Sequence, residues 1–496
     1  MADMQDEFVI GLDVSTQSAK AIAWSKSGEA VAEGRAPIPM SSPKEGHFEQ
    51  NPSDWWDAAR TALRELSAQI DASKVVGLAI SNQRETVGFL DESGASKIPA
   101  MVWLDSRAIN QVDTLNNLVG EGEIHKISGK PKDVTPVAYR LMWLRENMPE
   151  VLDSVHLFTD VHSYVCEQLT GNNIASRTSA DPFGIFDINK MAWSEQILEA
   201  VGITSKAFPE VKQPAELAGQ ISKAAADITG LPLGTSVFCG GGDGQSAGLG
   251  VNAAKEGTIY LNIGTAIITG AWSAEPRINL NWRTMTSPTG DGYFLEGVLR
   301  AGTFFVDWFV ENFAGGNANP DIWKELEEEA SNVAIGSEGL TVCPYLTGCM
   351  NPHWDMNARA SFDGFSSIHT RGHMYRAVLE SLTGEIARCV VAMRANDIVV
   401  NEIIAVGGGA QSALWTQMIA DACGLDLTMS KSLEASSLGA AMCAAVGTKW
   451  FSSFQDAAES MSKNGATTHA NLATRSEWDA LLERQDALNS KVCSTS

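Results

Sequence analysis

The chain has 496 residues, 44% of them hydrophobic and 19% charged, the balance of a well-packed globular protein of roughly two or three domains. Asp and Glu number 60 against 36 Lys and Arg, so the formal charge is −24. That excludes a general nucleic-acid binder, which needs a basic stripe, but not a site for one nucleotide, whose phosphates backbone N–H groups and a metal ion can hold. The eight cysteines lack the two-residue spacing of zinc or redox motifs, and their apolar neighbours predict buried thiols in a reducing cytoplasm. Asp3, Asp6 and Glu7 precede the first apolar stretch, unlike a secretory leader. No apolar run approaches the ~20 residues that span a bilayer, so neither membrane nor nucleic acid is an expected partner.

In chain order, Phe8 to Asp13 reads as a buried strand ending in a carboxylate. Ser15-Thr16-Gln17-Ser18 reads as a polar turn, and Ala19 to Trp24 as the returning strand. Small hydroxyl residues in such a turn leave N–H groups open to anionic oxygens, and Asp13 suits a hydrated divalent cation; a solvated turn is the plain alternative. A helix is predicted from Pro52 to about Ile70, with Asn51 as N-cap and Trp56, Ala59, Leu63, Leu66 and Ile70 at helical spacing. Val75 to Ile80 is the next buried strand. Strands alternating with amphipathic helices indicate an α/β architecture.

Further on, Gly240-Gly241-Gly242-Asp243 follows the apolar Val237-Phe238-Cys239. Glycines there permit a close backbone approach, and Asp243 is suited to act as base toward a hydroxyl; a helix-capping turn Asp is the compatible alternative. Gly244-Gln245-Ser246-Ala247-Gly248 matches the hydrolase nucleophile elbow, but Asp243 holds the turn and only His469 could serve as a late histidine partner. A small polar linker at Val251 to Gly257 divides the chain into residues 1–252 and 253–496. After it, Thr258 to Ile263, Gly264-Thr265 and Ala266 to Thr269 form a second predicted hairpin. Gly315 to Pro320 is a small-residue loop. His369 and His373 have zinc-like spacing without a supporting Glu, so capping or a surface role is expected. Ile403 to Val406 is a strand running into Gly407-Gly408-Gly409-Ala410, and a helix carrying Leu414, Met418, Ile419 and Ala422 follows. Ser412 stands where a dinucleotide fingerprint needs its last glycine.

In this order, these motifs resemble the FGGY carbohydrate kinases, within the actin–hexokinase–heat-shock ATPase superfamily. The resemblance extends over Gly46 to Pro52, Asn82 to Thr86, Val102 to Arg107, Phe362 to Glu380 and Glu434 to Ala441. It implies an α/β fold of two ribonuclease-H-like lobes, the N-terminal one carrying the sugar side, first phosphate hairpin and catalytic aspartate, with an ATP and sugar cleft between them. Asp13, Ser15, Thr16, Gln17, Lys20, Gly264 and Thr265 would hold phosphates, and Gly408, Gly409 and Ala410 would flank adenosine. Asp13 and Asp243 would meet Mg²⁺, and Asp243 would be the general base. Arg84, Glu85, Trp103 and Gln245 would contact the sugar; Arg84 as a structural ion-pair partner and Trp103 as core are the alternatives.

The departures bear on substrate. Arg140 replaces the Lys of the N-terminal signature, Thr135 stands where glycerol kinases place an aromatic, and Gly244 replaces a glutamine beside the catalytic Asp. The Arg84-Glu85 pair is glycerol-kinase-like, while Gly407 to Asp421 is xylulokinase-like. A small neutral sugar or polyol is the expected partner. A ketopentose is expected on the argument that Gly244 and Thr135 leave room for a longer chain. Glycerol, a tetritol or an autoinducer-two-type substrate is the alternative, with a non-kinase actin-like ATPase and the serine hydrolase as rivals. A homodimer and a monomer are both compatible with the sequence.

Overall fold

The computed structural model describes residues 7–316 and 319–494. Asp3, Asp6 and the middle of the Gly315 to Pro320 loop lie outside them. Strand β1 (Phe8–Val14) turns back into β2 (Ser18–Trp24), and β3 (Ala30–Pro37) extends the meander. Helix α1 (Pro52–Ser67) leads to β4 (Val75–Asn82). It ends three residues before Ile70, because the Asp71 carboxylate accepts from the Ser73 amide and starts a 3-10 turn. Asn51 holds the N-cap position, yet its side chain donates to Asp54 instead of accepting from the helix amides. Strands β5 (Leu217–Gln220) and β6 (Ser236–Gly242) complete the sheet in the order β5-β6-β4-β1-β2-β3. Helix α2 (Asp243–Gly250) starts immediately at the end of β6.

The second half builds β7 (Gly257–Ile263), β8 (Ile267–Ser273), β9 (Arg283–Thr286), β10 (Tyr293–Leu299), β11 (Val400–Val406), β12 (Asp426–Ser430) and β13 (Asn464–Thr468). Their order is β9-β10-β8-β7-β11-β12-β13. In each sheet three antiparallel strands meet two parallel ones in the same sequence, β3-β2-β1-β4-β6 and β10-β8-β7-β11-β12. The two lobes therefore repeat one ribonuclease-H-like topology. Helices α3 (Arg371–Ala395) and α4 (Ala413–Cys423) cover the second sheet, with Trp415 and Ile419 in its core. A small sheet of Val87–Leu90, Ser96–Met101, Leu157–Thr159 and Glu49–Gln50, which sequence reasoning did not find, carries the loops around residues 84–86 and 102–107.

Helix α5 (Ala435–Gly447) belongs by sequence to the second half but packs on the first sheet. Leu438, Ala441 and Ala445 meet Val9, Ile22, Ala79 and Phe238. Division near residue 252 thus separates the sheets but not the packing. Glycines make the junction close: a Cβ on Gly439 would lie 1.8 Å from the Ser246 carbonyl oxygen of α2, and one on Gly11 would lie 1.8 Å from that of Ser437. Backbones of β1, α2 and α5 touch, which fixes Asp13 relative to Asp243. All eight cysteines are free thiols, seven of them buried, and no described helix is long and apolar enough to cross a membrane.

Gly439→Ala should destabilise the protein by at least ~1–3 kcal/mol, because overpacking forces two helix backbones apart. Gly408→Ala, whose new Cβ meets nothing within 4 Å, should stay within about 0.5 kcal/mol. Urea unfolding of both variants checks this; equal midpoints would contradict the glycine-packed junction.

Candidate active site

The parallel strands set the register of the site. Asp13 on β1 pairs with Ser81 on β4, which pairs with Gly241 on β6, so three strand ends converge where α/β sheets commonly bind ligands. Asp243 follows as the first residue of α2, with its carboxylate accepting from the Gly244 amide at 2.7 Å and lying 3.2 Å from Arg84 Nε. Its side chain keeps 39% of its surface accessible. The surrounding protein nevertheless desolvates the carboxylate and raises its pKa, with Arg84 pulling the other way. Asp13 is pushed up to about 7, first by burial and then by the charge of Asp243. Its Oδ1 is buried without a hydrogen-bond partner. An orphaned oxygen and two repelling carboxylates fit a divalent cation. Among the described residues no group of three or more His, Cys, Asp or Glu could hold a metal, so the fit is to an ion that keeps most of its water, as Mg²⁺ does.

The first hairpin is tied to its surroundings. The Ser15 amide donates to Ser18 O at 3.0 Å, and the exposed Gln17 accepts the Ile38 amide at 2.8 Å. Thr16 Oγ1 accepts from Trp103 Nε1 at 3.0 Å, and its carbonyl accepts from Gln50 at 2.6 Å. Trp103 remains 37% exposed, so it is not a core residue. Lys20, opposite Asp13 across the β1–β2 pair, forms an ion pair with Glu434 at the start of α5.

Arg84 and Glu85 sit on the loop after β4, where Glu85 takes a left-handed conformation with φ of 50°. Arg140, fully buried, donates to the carbonyls of Glu85, Thr135, Met101 and Val102, and so binds that loop to the segments beside it. Burial lowers its guanidinium to about 10. Arg84 makes a two-pronged pair with Glu296, at 2.7 and 3.3 Å, and donates to Gln245 Oε1 at 3.1 Å. Arg283 donates to Glu85 at 2.6 Å and also binds Glu296. Burial alone would raise Glu296, but Arg84 and Arg283 outweigh it and hold the carboxyl at about 2. Burial raises Glu85 against the pull of the same two cations.

Sequence reasoning missed Arg283 and Glu296. The available signal was an ionisable residue inside an apolar strand, Phe294-Leu295-Glu296-Gly297-Val298, since buried charges demand partners. Gln245 is fully buried, bonded to Arg84 and to Thr178 O. The expectation that Gly244 opens space for a longer substrate is overturned. A Cβ there would meet Arg84 Nη2 at 3.0 Å and Glu296 Oε2 at 3.1 Å, so the ion pair fills that volume.

On the other lobe, Gly264 and Thr265 form the β7–β8 turn, with carbonyls accepting from Thr303 and Gly302 at 2.8 Å and the Thr265 side exposed. Strand β11 runs parallel to β7, pairing Val406 with Asn262, so Gly407 lands against the Ile263 carbonyl. Gly408 is exposed beside open space, and Gly409 is half-buried. Ala410 is buried in the C-terminal core. The hydrolase reading fails: Ser246 is buried and donates to Gly241 O, while His469 is exposed and pairs with Asp426. His373 caps α3 with Thr370, one of the two roles expected for it.

The family model described as "FGGY family of carbohydrate kinases, N-terminal domain" matches residues 8–250, and that of the C-terminal domain matches residues 259–448. The chain belongs to the FGGY family of carbohydrate kinases. It is 31% identical over 458 residues to a xylulose kinase of Lactococcus lactis, covering 90% of this chain and 89% of that one. It is 26% identical over 455 residues to a gluconokinase of Bacillus subtilis, covering 90% and 89%. The crystal structure of a xylulose kinase from Rhodospirillum rubrum superposes with a TM-score of 0.92 at 26% identity, covering 98% and 99%. The protein is accordingly a sugar kinase, a phosphotransferase with an alcohol group as acceptor, in a family whose phosphate donor is ATP.

A carboxyl raised on folding binds its proton more tightly in the native than in the unfolded chain, so the protein loses stability as pH rises from the ordinary Asp range, near 4, through about 7. Asp13→Asn removes that loss. The metal-free variant should melt higher than wild type at pH 8, by on the order of 2 °C, with the gap closing toward pH 4. Calorimetry across pH checks it; a variant that melts lower at pH 8 would contradict the reading of Asp13 as a strained carboxylate.

Proposed function

We propose that the protein transfers the γ-phosphoryl group of ATP to a hydroxyl of a ketopentose such as xylulose or ribulose, with Asp243 as general base. The observation that carries this is Asp243 itself: a carboxylate at the end of a glycine strand, open to the cleft, raised in pKa and aimed by Arg84. Asp243 takes the proton of the attacking hydroxyl, so that the oxygen becomes a better nucleophile as it meets phosphorus. Arg84 and Glu85 bind neighbouring sugar hydroxyls, and Trp103 walls the pocket. The backbone at Thr16 and at Gly264-Thr265 receives the phosphates, and Gly408 and Gly409 leave room for adenosine. Asp13 and Asp243 would hold Mg²⁺, and the ion would supply charge neutralisation to the phosphates. Little covalent chemistry is asked of the protein, and positioning carries most of the rate.

The ketopentose reading draws support from the similarity to a xylulose kinase along nine-tenths of the chain. Gln245 now enters as a support of Arg84.

Asp243→Asn is nearly isosteric but cannot accept the proton, so kcat should fall ~10²–10⁴-fold while nucleotide binding persists. Turnover within threefold of wild type would remove Asp243 from the role of base. A coupled assay of ketopentoses, tetritols and glycerol at equal concentration tests the substrate. The account expects a ketopentose to lead, and glycerol ahead by tenfold in kcat/KM would contradict it.

A further inference from the structure

The sugar wall is assembled from both halves of the chain. Arg84 and Glu85 come from the loop after β4, but the groups that hold them come from the far edge of the second sheet. Arg283 on β9 and Glu296 on β10 stand directly opposite each other across an antiparallel pair. From there Arg283 reaches Glu85 and Glu296 reaches Arg84, so that charges alternate Glu85, Arg283, Glu296, Arg84, Asp243. The first four side chains are 7% exposed or less. Within the run three carboxylates face two guanidiniums, and the buried Arg140, which donates to the Glu85 carbonyl, sets a third cation beside it. The neighbouring buried pair of Lys130 and Asp181 is neutral in sum. Gly244 belongs to the same arrangement, because any side chain there would press on Arg84 and Glu296.

We propose that Arg283 and Glu296 are positioning residues of the sugar site, contributed by the second sheet, which fix Arg84 and Glu85 and make the wall select uncharged hydroxyl-bearing sugars over sugar acids. The inference rests on the reading of Arg84 and Glu85 as hydroxyl-binding groups. Its chemical basis is pairing. A guanidinium with its N–H groups turned to carboxylates can still offer an edge to a neutral hydroxyl. To bind an aldonate carboxylate strongly it would have to leave its partner, and leaving Glu296 buried and unpaired is costly. Hydroxyl binding, by contrast, needs only that the two side chains stay where the second sheet holds them.

The test uses the full-length wild type, Arg283→Lys and Glu296→Gln, with xylulose, ribulose and gluconate as acceptors. Wild type should prefer a ketopentose to gluconate by at least tenfold in kcat/KM. Arg283→Lys keeps the charge, but one ammonium cannot serve Glu85 and Glu296 with two separate nitrogens. Its ketopentose KM should rise about tenfold, with the ATP KM within twofold and kcat changed less than the sugar KM. Glu296→Gln leaves the two terminal nitrogens of Arg84 without a carboxylate, so the ratio of gluconate to ketopentose kcat/KM should rise at least tenfold. A folded Arg283→Lys with unchanged sugar KM, or one whose kcat falls while both KM values hold, would overturn the positioning role. A Glu296→Gln enzyme with an unchanged substrate ratio, or a wild type that prefers gluconate, would overturn the selectivity. Should neither variant fold, the wild-type preference still decides. A wild type that phosphorylates no neutral sugar at all would instead overturn the reading beneath it.

Discussion

One guanidinium governs the centre of this molecule. Arg84 touches the Asp243 carboxylate with Nε, grips Glu296 with both terminal nitrogens and donates to Gln245 Oε1 beside it. A cation buried this deeply is tolerated only with close, well-aligned anions, and breaking one partner away costs several kcal/mol by the general behaviour of buried pairs. From that requirement follow the absence of a side chain at Gly244, the acid inside strand β10 and the second arginine that shares it. The carboxylate next to Arg84 is thereby fixed in orientation without being fully neutralised.

The backbone supplies the complementary constraint. Two copies of one topology each bring parallel strand ends together, and glycines let β1, α2 and α5 meet without side chains between them. The backbone positions of Asp13 and Asp243 are consequently fixed relative to each other. Burial raises both carboxyls, helped at Asp13 by the charge of Asp243 and at Asp243 by that of Glu296. That is a cost in the free protein and an advantage for a site that is to receive a cation and a proton. The second sheet offers an exposed threonine turn and a glycine run at its own strand ends.

Much of this was legible in the sequence wherever the signal is local. The two hairpins, the strands at Val75 and Ile403, the helix from Pro52 and the glycine-walled Asp243 all carry their pattern within about ten residues, and each stands in the structure where it was expected. The small sheet holding residues 87–101 and 157–159 was not legible, because its strands are short and paired out of sequence order. The return of α5 to the first sheet was hidden for the same reason. Glu296 could be flagged as a misplaced acid, but its partner Arg84 lies 212 residues away, and no spacing rule links them. Gly244 shows how such a gap misleads: a missing side chain was read as open space, when the ion pair occupies it.

The central claim is that a cleft hydroxyl, and not water, receives the phosphoryl group. Phosphorus NMR of the purified protein with Mg-ATP and a ketopentose tests it most directly, since every phosphorus species is counted at once. The account predicts ADP and a sugar phosphate monoester appearing in equal amounts, with little inorganic phosphate while sugar remains. ADP accompanied by inorganic phosphate, with no ester for any ketose or polyol supplied, would contradict it.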